Sequence, residues 1–191
     1  MTPYPELYIL RHGETVWNAE GRMQGALNSP LTDLGKAQAA RQAAIMGTID
    51  LQGFDILCSP QGRAFETAAI ALARHVTYLH TDPDLVEIGL GDWAGKLRSE
   101  LSVGTNYVEG PDGALELYER APKGEGFKAL EVRCSGFLAK LTRPSVLITH
   151  GITSRMIRAI ATAEGAQGIH DIGGGQGVVY HVKDGVQKRL E

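Results

Sequence analysis

Two histidines of the chain stand directly behind short apolar runs, where turn residues would be the usual choice. His12 follows Arg11 at the end of the run Leu7 to Leu10, and His150 comes directly after SVLIT. A neutral imidazole is a competent nucleophile towards phosphorus, and a second imidazole, if protonated, would stabilise charge on the phosphoryl oxygens. An arginine beside the first imidazole can bind an anion through two parallel hydrogen bonds, which suits phosphate in particular. The pattern indicates phosphoryl chemistry.

A second arginine and a carboxylate have comparable positions. Arg63 lies in SPQGR, directly after FDILC, and Glu87 follows the run VTYLH through TDPDL. Arg63 could share the phosphoryl oxygens with Arg11, and the carboxylic acid of Glu87 could protonate the leaving oxygen. Because phosphoryl transfer depends mainly on positioning and on stabilising charge, this set of residues is sufficient without a metal or another cofactor.

These residues belong to a chain in which strands and helices are predicted to alternate. Short apolar runs, typical of strands buried on both faces, lie at 7–10, 54–58, 76–80 and 145–149. Helical patterns lie at 32–47, 62–75, 125–141 and 152–165. Thr32 is the predicted N-cap of the first helix, and Asp184–Gly185 predicts a final hairpin. We therefore expect an α/β fold, a three-layer α/β/α sandwich with a mixed, mainly parallel central sheet.

Such a fold would bring the polar residues together. Ligands of open α/β sheets bind beyond the carboxyl ends of the strands. The two histidines, the two arginines and Glu87 all follow predicted strands, so they fall at the same end of the sheet. Taken alone, each has a commoner structural explanation: a hydrogen-bonded histidine, an ion-paired arginine or a solvated carboxylate. Their shared position makes the joint functional interpretation the stronger one.

A zinc site built on His12 and His150 is a weaker hypothesis. The sequence contains no HExxH motif and no spacing of Cys and His that is typical of zinc ligands. The two neighbouring arginines would also repel a cation. We therefore predict no metal site and no cofactor.

The composition restricts the class of protein. The chain has 191 residues, 43% of them hydrophobic, and a net charge of −3, which is ordinary for one globular domain. A nucleic-acid partner would normally require a basic excess, so none is expected. No apolar run approaches the ~20 residues that span a bilayer, and the N-terminus lacks the pattern of a signal peptide. No membrane partner is expected.

The cysteine content indicates a reducing compartment. Cys58 and Cys134 are far apart, no CxxC occurs, and both are predicted to be buried as small apolar residues. We therefore predict a cytoplasmic protein. Its oligomeric state stays open, with a homodimer as one option.

Two segments do not fit the alternating pattern. Residues 96–123 are rich in glycine and proline, and we interpret them as an insertion over one end of the sheet in a single domain that spans 1–191. The insertion could shape a substrate pocket or serve only as a connector. The second segment, HDIGGGQGVVYHV, contains the run Gly173–Gly175. It could be a flexible rim of the pocket or a plain loop, and we favour the plain loop.

Four ordered motifs carry a resemblance to a known family. LRHGETVWN, SPQGRAFETA, EIGLGDWAG and THGITSRMI resemble the histidine phosphatase superfamily, and more closely its phosphoglycerate mutase-like branch. GRMQGALNSPLTDLGKAQA is also similar to this branch, in which a mobile substrate-side loop precedes the first helix. The resemblance extends from about Leu7 to Ala161. It implies a mixed, mainly parallel sheet between helices and chemistry without a metal cofactor.

The resemblance also implies a role for each matching residue. His12 would be the nucleophile that becomes phosphohistidine, and His150 would complete the pocket. Glu87 would be the general acid and then the base that activates water. The groups that bind the phosphate would be Arg11, Arg63, Asn18 and the backbone N–H of Gly151. Gln24 would lie on the substrate side.

Phosphatases and mutases both occur in this branch, and a phosphatase is favoured here. The chain is short, and the stretch RMQGALNSPLT is similar to the phosphatase members. The insertion carries only four cations, Lys96, Arg98, Arg120 and Lys123. We predict a phosphomonoester hydrolase that acts through phosphohistidine on a small phosphorylated metabolite, whose identity the sequence does not give. A phosphoglycerate mutase and a non-catalytic phosphate-binding protein stay open as alternatives.

Overall fold

A six-stranded sheet forms the centre of the computed structural model, which describes residues 4–75, 78–101 and 115–191. The strands are β1 (Leu7–Arg11), β2 (Asp55–Cys58), β3 (His80–Thr81), β4 (Ser145–Thr149), β5 (Val179–Lys183) and β6 (Val186–Leu190). Their order across the sheet is β3-β2-β4-β1-β5-β6. The first four of these pair in parallel, whereas β5 and β6 are antiparallel to their neighbours. The predicted mixed, mainly parallel sheet is confirmed.

Helices connect most of the strands. They are α1 (Val16–Ala19), α2 (Asp33–Met46), α3 (Gly62–Ala71), α4 (Arg98–Leu101), α5 (Leu115–Arg120), α6 (Gly126–Lys140) and α7 (Gly151–Ala161). Thr32 caps α2 as predicted, because its hydroxyl accepts a hydrogen bond from the N–H of Gly35 at 3.0 Å. No helix in the described ranges is long and apolar enough to cross a membrane.

The sheet separates two hydrophobic clusters. Leu7 and Ile9 of β1 face the cluster that contains the buried sides of α6 and α7. Tyr8 and Leu10 face the opposite cluster, which contains the buried sides of α2 and α3. The alternation follows from the two-residue period of a strand, and each fully buried aliphatic side chain contributes roughly 1.5–3 kcal/mol. The arrangement confirms the predicted three-layer sandwich.

The third strand differs from its prediction. The apolar pattern predicts a strand over 76–80, but β3 consists only of His80–Thr81, and both residues are exposed. Residues 76–77 lie outside the described residues, and Tyr78 and Leu79 precede the strand. Among the described strands β3 pairs only with β2, so it lies at the edge of the sheet and does not need apolar residues on both faces.

Two helices end earlier than their patterns predict. α3 ends at Ala71 instead of residue 75, and α7 ends at Ala161 instead of residue 165. After α7 the backbone turns through Ala163 and Gly165, whose φ angles are 67° and 62°. Left-handed residues of this kind cannot continue a right-handed helix.

The predicted hairpin joins β5 and β6. Asp184 and Gly185 form its turn with φ angles of 51° and 74°. Positive φ at both central residues is the geometry of the two-residue turn that matches the twist of the flanking strands. The hairpin closes one side of the sheet.

Both cysteines are free and buried, as predicted. Cys58 lies in the cluster on the α2 and α3 side, and Cys134 lies in the cluster on the α6 and α7 side. Burial raises the pKa of each thiol to about 12. Both side chains therefore behave as small apolar residues.

The part of the predicted insertion that is described is attached to the segment 21–24. The N–H of Met23 donates to the carbonyl of Lys96 at 2.9 Å, and the N–H of Arg98 donates to the carbonyl of Gly21 at 3.0 Å. α5 buries Leu117 and Tyr118 in the core on the α6 side. Residues 102–114 lie outside the described residues, so the insertion as a whole stays a prediction.

Candidate active site

The two histidines meet where β1 and β4 end. These strands pair in parallel with Arg11 opposite Thr149, so the residues that follow them lie side by side. The N–H of His12 donates to the carbonyl of Thr149 at 3.0 Å. The ring centroids of His12 and His150 are 5.1 Å apart, with the rings tilted by 57°. The expected convergence at the carboxyl end of the sheet is present.

His12 is buried in a single orientation. Its Nδ1 lies 2.7 Å from the carbonyl oxygen of Gly13, which can only accept, so Nδ1 carries the proton. Nε2 therefore presents a lone pair, and the Nε–H of Arg63 donates to it at 3.3 Å. Burial, together with the charges of Arg63 and Arg11, lowers the pKa of His12 well below its ordinary value of 6.5. A neutral ring with its lone pair on Nε2 is the form that a nucleophile requires, and the hydrogen bond from Arg63 would have to be released before Nε2 attacks.

Arg63 binds the segment 25–27 as well as His12. Arg63 is 1% exposed, and its guanidinium donates to the carbonyls of Leu27 at 2.7 Å and Gly25 at 3.0 Å. Nη2 also donates to Oε1 of Gln61 at 3.3 Å, and Nε donates to Nε2 of His12. A phosphoryl oxygen would reach Nε of Arg63 only by replacing Nε2 of His12 as its acceptor, so the contact of Arg63 with a phosphoryl group stays a prediction.

Arg11 has an unused donor next to the first turn of α7. Its Nε is buried and has no hydrogen-bond partner within the described ranges. A Cβ atom on Gly151 would lie 3.2 Å from Cζ of Arg11, so glycine permits the close approach of the guanidinium. The N–H groups of a helix N-terminus, beside an arginine, form a suitable site for a phosphate.

His150 is also neutral, which differs from the protonated form considered from the sequence. Burial and the positive charges around it, that of Arg63 foremost, lower the pKa of His150 well below 6.5. Its Nε2 lies 2.8 Å from the hydroxyl of Ser59, and its buried Nδ1 has no partner in the described part of the chain. If the hydroxyl donates to Nε2, the ring carries its proton on Nδ1. A neutral His150 can then donate one hydrogen bond to a phosphoryl oxygen.

Glu87 is buried against the N-terminus of α7. Its carboxylate accepts hydrogen bonds from the backbone N–H groups of Ile152 at 3.2 Å, Thr153 at 3.1 Å and Ile88 at 3.0 Å. The hydroxyl of Thr153 also lies 3.2 Å from it. Oε1 accepts from Ile88 and Thr153, whereas Oε2 accepts only from Ile152 among the described residues, so the second lone pair of Oε2 is where Glu87 could carry a proton. The predicted acid role stays a prediction.

Arg133 of α6 holds the segment that carries Glu87. Its guanidinium donates to the carbonyls of Asp84 and Val86 and forms a two-pronged ion pair with Glu125, at 2.7 and 2.9 Å. Glu125 in turn accepts from the N–H of Gly89 at 3.1 Å. Nothing in the helical pattern of 125–141 distinguishes Arg133 from a surface residue, so its role was not predictable from the sequence.

Asn18 and Gln24 belong to a small network around Thr15. The hydroxyl of Thr15 caps α1 by accepting from the N–H of Asn18, and the side chain of Asn18 accepts from the N–H of Thr15, each at 3.2 Å. Gln24 is 6% exposed and donates from Nε2 to the hydroxyl of Thr15 at 2.7 Å. Gln24 therefore supports the capped turn that holds Asn18, and its contact with a substrate stays a prediction.

Side chains from other elements hold the backbone of residues 11–14, and the sequence analysis singled out none of them. The contacts, with the donor first, are Gln42 Nε2 to Arg11 O (3.0 Å), Gln176 Nε2 to His12 O (3.2 Å), Gly13 N to Thr67 Oγ1 (3.0 Å) and Glu14 N to Gln38 Oε1 (2.7 Å). Single glutamines and threonines at these distances in sequence carry no pattern, so only the folded chain identifies them.

Gly13 lies under the first turn of α2. A Cβ atom there would lie 2.2 Å from the carbonyl oxygen of Gly35. The glycine is therefore required because this turn packs directly on the backbone that follows His12.

The charge balance of the site favours an anion. The pKa of Arg11 is lowered by burial and by the neighbouring charges of Arg98 and Arg155, while Tyr118 and Glu87 act in the opposite direction. Across the described residues, no three side chains of His, Cys, Asp or Glu cluster as the ligands of a metal ion would. Tyr118 and Arg98 come from the ends of the predicted insertion, and the sequence analysis gave neither a role in the site.

Named relatives share much of the chain. The sequence is 36% identical over 155 residues to the protein named "Probable phosphoglycerate mutase GpmB" of Enterobacter sp. (strain 638), which covers 77% of this chain and 70% of that protein. It is 31% identical over 162 residues to a glucosyl-3-phosphoglycerate phosphatase of Mycobacterium tuberculosis, with coverages of 76% and 70%. The α-ribazole phosphatase of Shigella flexneri has a similar structure, with a TM-score of 0.79 and 25% identity over 97% of this chain and 94% of that one.

A family model agrees with the motifs and with the geometry. The model described as "Histidine phosphatase superfamily (branch 1)" matches residues 7–185. The match includes both strand-end histidines, Arg11, Arg63 and Glu87. The chain therefore belongs to branch 1 of the histidine phosphatase superfamily.

Proposed function

We propose that the chain is a metal-independent phosphomonoester hydrolase in which Nε2 of His12 attacks phosphorus. The observation that carries this proposal is the orientation of His12. Its Nδ1–H is bound to the carbonyl of Gly13 at 2.7 Å, so the lone pair of Nε2 faces Nε of Arg63 at 3.3 Å. A neutral nucleophile among cationic donors suits attack on a phosphate dianion.

The first half of the reaction would transfer the phosphoryl group to the protein. Arg11, the Nε edge of Arg63, the N–H of Gly151 and Nδ1–H of His150 would bind its oxygens. Nε2 of His12 would form a bond to phosphorus while the bond to the ester oxygen breaks in line. Glu87, after taking up a proton, would donate it to the leaving oxygen, so that a neutral alcohol departs.

The second half would restore the protein. Water would attack the phosphohistidine while Glu87, now ionised, accepts its proton. The bond between Nε2 and phosphorus would break, which returns the lone pair to His12 and releases inorganic phosphate. The donors around the oxygens need not move between the two halves, because the phosphoryl group stays in the same pocket.

A small phosphorylated metabolite is the substrate class we infer. The relatives named as a phosphoglycerate mutase and a glucosyl-3-phosphoglycerate phosphatase support it. Arg98 lowers the pKa of Arg11 and Tyr118 raises it, so both side chains lie near Arg11. Nε of Arg98 is buried without a partner inside the described ranges. Arg98 and Tyr118 are candidates for contacts with the leaving group.

Hydrolysis is favoured over mutase transfer by the ion pairs of the insertion. A mutase must hold a second anionic position of its substrate, but Arg120 is paired with Glu116 at 2.7 Å and Lys123 with Asp92 at 3.1 Å. Two of the four cations counted in the insertion are therefore already engaged. Isomerisation of 3-phosphoglycerate faster than phosphate release would support the mutase alternative.

A cytoplasmic location fits the same picture. The two free, buried thiols are compatible with a reducing compartment. The net charge of −3 supports a small-molecule partner over a nucleic acid. A homodimer stays a prediction.

The test is phosphate release from an aryl phosphate and from a panel of phosphorylated metabolites, with EDTA present. Wild-type protein should release phosphate from at least one of these esters. His12→Ala should release it at least about 10³-fold more slowly, with the far-UV circular dichroism spectrum of the wild-type protein. Wild-type protein quenched in detergent at alkaline pH should carry phosphate on His12 that stays bound in alkali and is released by acid. Near-normal turnover by His12→Ala would refute the mechanism. Phosphate binding without turnover of any substrate would support the non-catalytic alternative.

A further inference from the structure

The glycine-rich segment 173–177 reaches the candidate nucleophile. Nε2 of Gln176 lies 3.2 Å from the backbone oxygen of His12 and 3.4 Å from Oδ1 of Asn18. The carbonyl of His12 can only accept, so the nitrogen end of the Gln176 amide must face it. The segment is a loop, as expected, but it also forms one rim of the site.

The loop is attached at its first glycine to a buried arginine. Nη2 of Arg158 donates to the carbonyl of Gly173 at 2.8 Å, and its guanidinium lies 3.8 Å from the centre of the Tyr180 ring. Arg158 is 1% exposed and is also bound to Gln187 at 2.9 Å. An anchor of this kind limits the motion of the loop that carries Gln176.

At its other end the loop depends on a left-handed glycine. Gly177 has a φ angle of 73°, and a Cβ atom there would lie 3.2 Å from Cγ of Gln38. The conformation is unfavourable for any residue with a side chain. Gln176 is therefore placed by a loop that is fixed on both sides.

The contact with Gln176 has a consequence for the amide of Asn18. Oδ1 of Asn18 accepts from the N–H of Thr15 at 3.2 Å and from Gln176 at 3.4 Å. Its Nδ2 makes no hydrogen bond with any described residue. Because two donors occupy the oxygen end, the nitrogen end is the one available to a phosphoryl oxygen.

We propose that Gln176 is a positioning residue that orients the amide of Asn18 towards the phosphate and holds the carbonyl of His12. This inference rests on the proposed function, since it assigns a role within the same site. Gln176 acts through Asn18 and His12 and does not itself contact the reacting atoms. The resemblance on which the site residues were predicted gave Gln176 no role.

The test replaces Gln176 and compares two kinetic quantities. Gln176→Ala should weaken inhibition by inorganic phosphate and raise KM by about threefold to tenfold, with a smaller change in kcat, because the hydrogen bond to Asn18 serves phosphate binding. Gln176→Glu should lower kcat/KM by about tenfold or more, because an anionic acceptor would face the oxygens of His12 and Asn18. Gln52→Glu, at an exposed turn, is the matched control for the added charge.

A double-mutant cycle separates positioning from a general structural role. In an Asn18→Ala background, Gln176→Ala should have little further effect on the inhibition constant of phosphate. Fully additive effects of the two substitutions would overturn the proposal. The proposal would also be overturned if the Gln176 variants bound phosphate as tightly as the control Gln52→Glu.

A second substitution tests the loop without changing Gln176. Gly177→Ala should weaken phosphate inhibition in the same direction as Gln176→Ala. Gly185→Ala is its control, because Gly185 lies in the β5–β6 turn with a similar φ angle of 74°. A Cβ atom on Gly185 would have no described heavy atom within 4 Å, so the substitution adds backbone strain far from the site without a steric contact. Equal phosphate affinity in the two variants would count against the loop's role.

Failure of the proposed function has a different signature. A wild-type protein that binds inorganic phosphate but turns over no ester would refute hydrolysis, while the phosphate affinities of the variants would still test Gln176. A wild-type protein that neither turns over esters nor binds phosphate would refute both proposals.

Discussion

The reactivity of His12 is decided by what its two ring nitrogens contact. Nδ1 is bound to the carbonyl of Gly13, which fixes the tautomer, and Nε2 faces the guanidinium of Arg63. Burial and the charges of Arg63 and Arg11 lower the pKa of the ring. In the proposed mechanism the arginines would therefore have two effects, since they would attract the phosphate and they keep His12 unprotonated.

The effect of Arg63 on His12 can be measured directly. Arg63→Gln removes a positive charge that opposes the imidazolium ion, so the pKa of His12 should rise and its protonation should begin at a higher pH. An NMR titration of the labelled imidazole would report the shift, with Arg41→Gln as a control at an exposed site. An unchanged titration of His12 in Arg63→Gln would contradict this electrostatic explanation.

Glu87 should be needed both for the fold and for poor leaving groups. Glu87→Gln would place an amide nitrogen among the backbone donors of Ile88, Ile152 and Thr153, which should lower the free energy of unfolding by roughly 1–3 kcal/mol. Without its acid, hydrolysis of an alkyl phosphate should slow by about 10²-fold or more, and that of an aryl phosphate much less. Equal losses of rate for the two esters would argue against the acid role.

At the scale of elements, the N-terminus of α7 binds the carboxylate of Glu87 and adjoins the predicted phosphate position. The N–H groups of Ile152 and Thr153 bind Glu87, while Gly151 lies beside Arg11. The partial positive charge of the helix end acts on both, so the helix links the predicted acid to the predicted phosphate position. α6 completes this arrangement because its Arg133 holds the segment before Glu87.

Replacing Arg133 should affect stability and activity together. Arg133→Met leaves Glu125 and the carbonyls of Asp84 and Val86 without their donor, and it should cost about 2–4 kcal/mol of unfolding free energy. Turnover should also fall, because Glu87 is no longer held in place. Urea unfolding and steady-state kinetics would measure both.

The matched control is an exposed ion pair. Arg143→Met loses its pair with Asp55 at the surface and should cost less than about 1 kcal/mol without a change in turnover. Similar losses of stability in Arg133→Met and Arg143→Met would contradict the role of Arg133 in holding the segment before Glu87.

At the scale of the whole molecule, the fold buries two neutral histidines at one end of its sheet. His12 is 3% exposed and His150 is fully buried. Their pKa values are lowered in the folded chain but not in the unfolded chain, so the unfolded chain binds more protons below about pH 6.5. Above that pH both histidines are neutral in the folded and the unfolded chain, so neither lowers the free energy of unfolding. Below it, the free energy of unfolding falls as the pH falls.

Stability should consequently decline between about pH 6.5 and pH 5, by up to about 1.4 kcal/mol per pH unit for each histidine that stays neutral. Urea unfolding at several pH values would give the slope. His150→Asn should have a shallower slope than the wild-type chain, because it lacks one of the two groups. Identical slopes in the two proteins would contradict the assignment.

Much of the fold follows from local patterns in the chain. The apolar runs of β1, β2 and β4, the Thr32 cap and the Asp184–Gly185 turn were all predicted, because each is determined by neighbours in sequence. The placement of His12 and His150 behind strands also identified the end of the sheet at which they meet. The edge strand β3 was predicted too long, because an apolar run does not reveal whether a strand has one neighbour or two.

The sequence by itself was sufficient to identify the type of fold and the family, and it supplied the predicted site residues. Only the folded molecule revealed how those residues are held. Gln42, Thr67, Arg133 and Gln176 contact the site from distant parts of the sequence. The neutral state of His150 likewise depends on burial and on charges contributed by other segments. Hydrogen bonds and electrostatic shifts of this kind depend on distances in space, which no local pattern encodes.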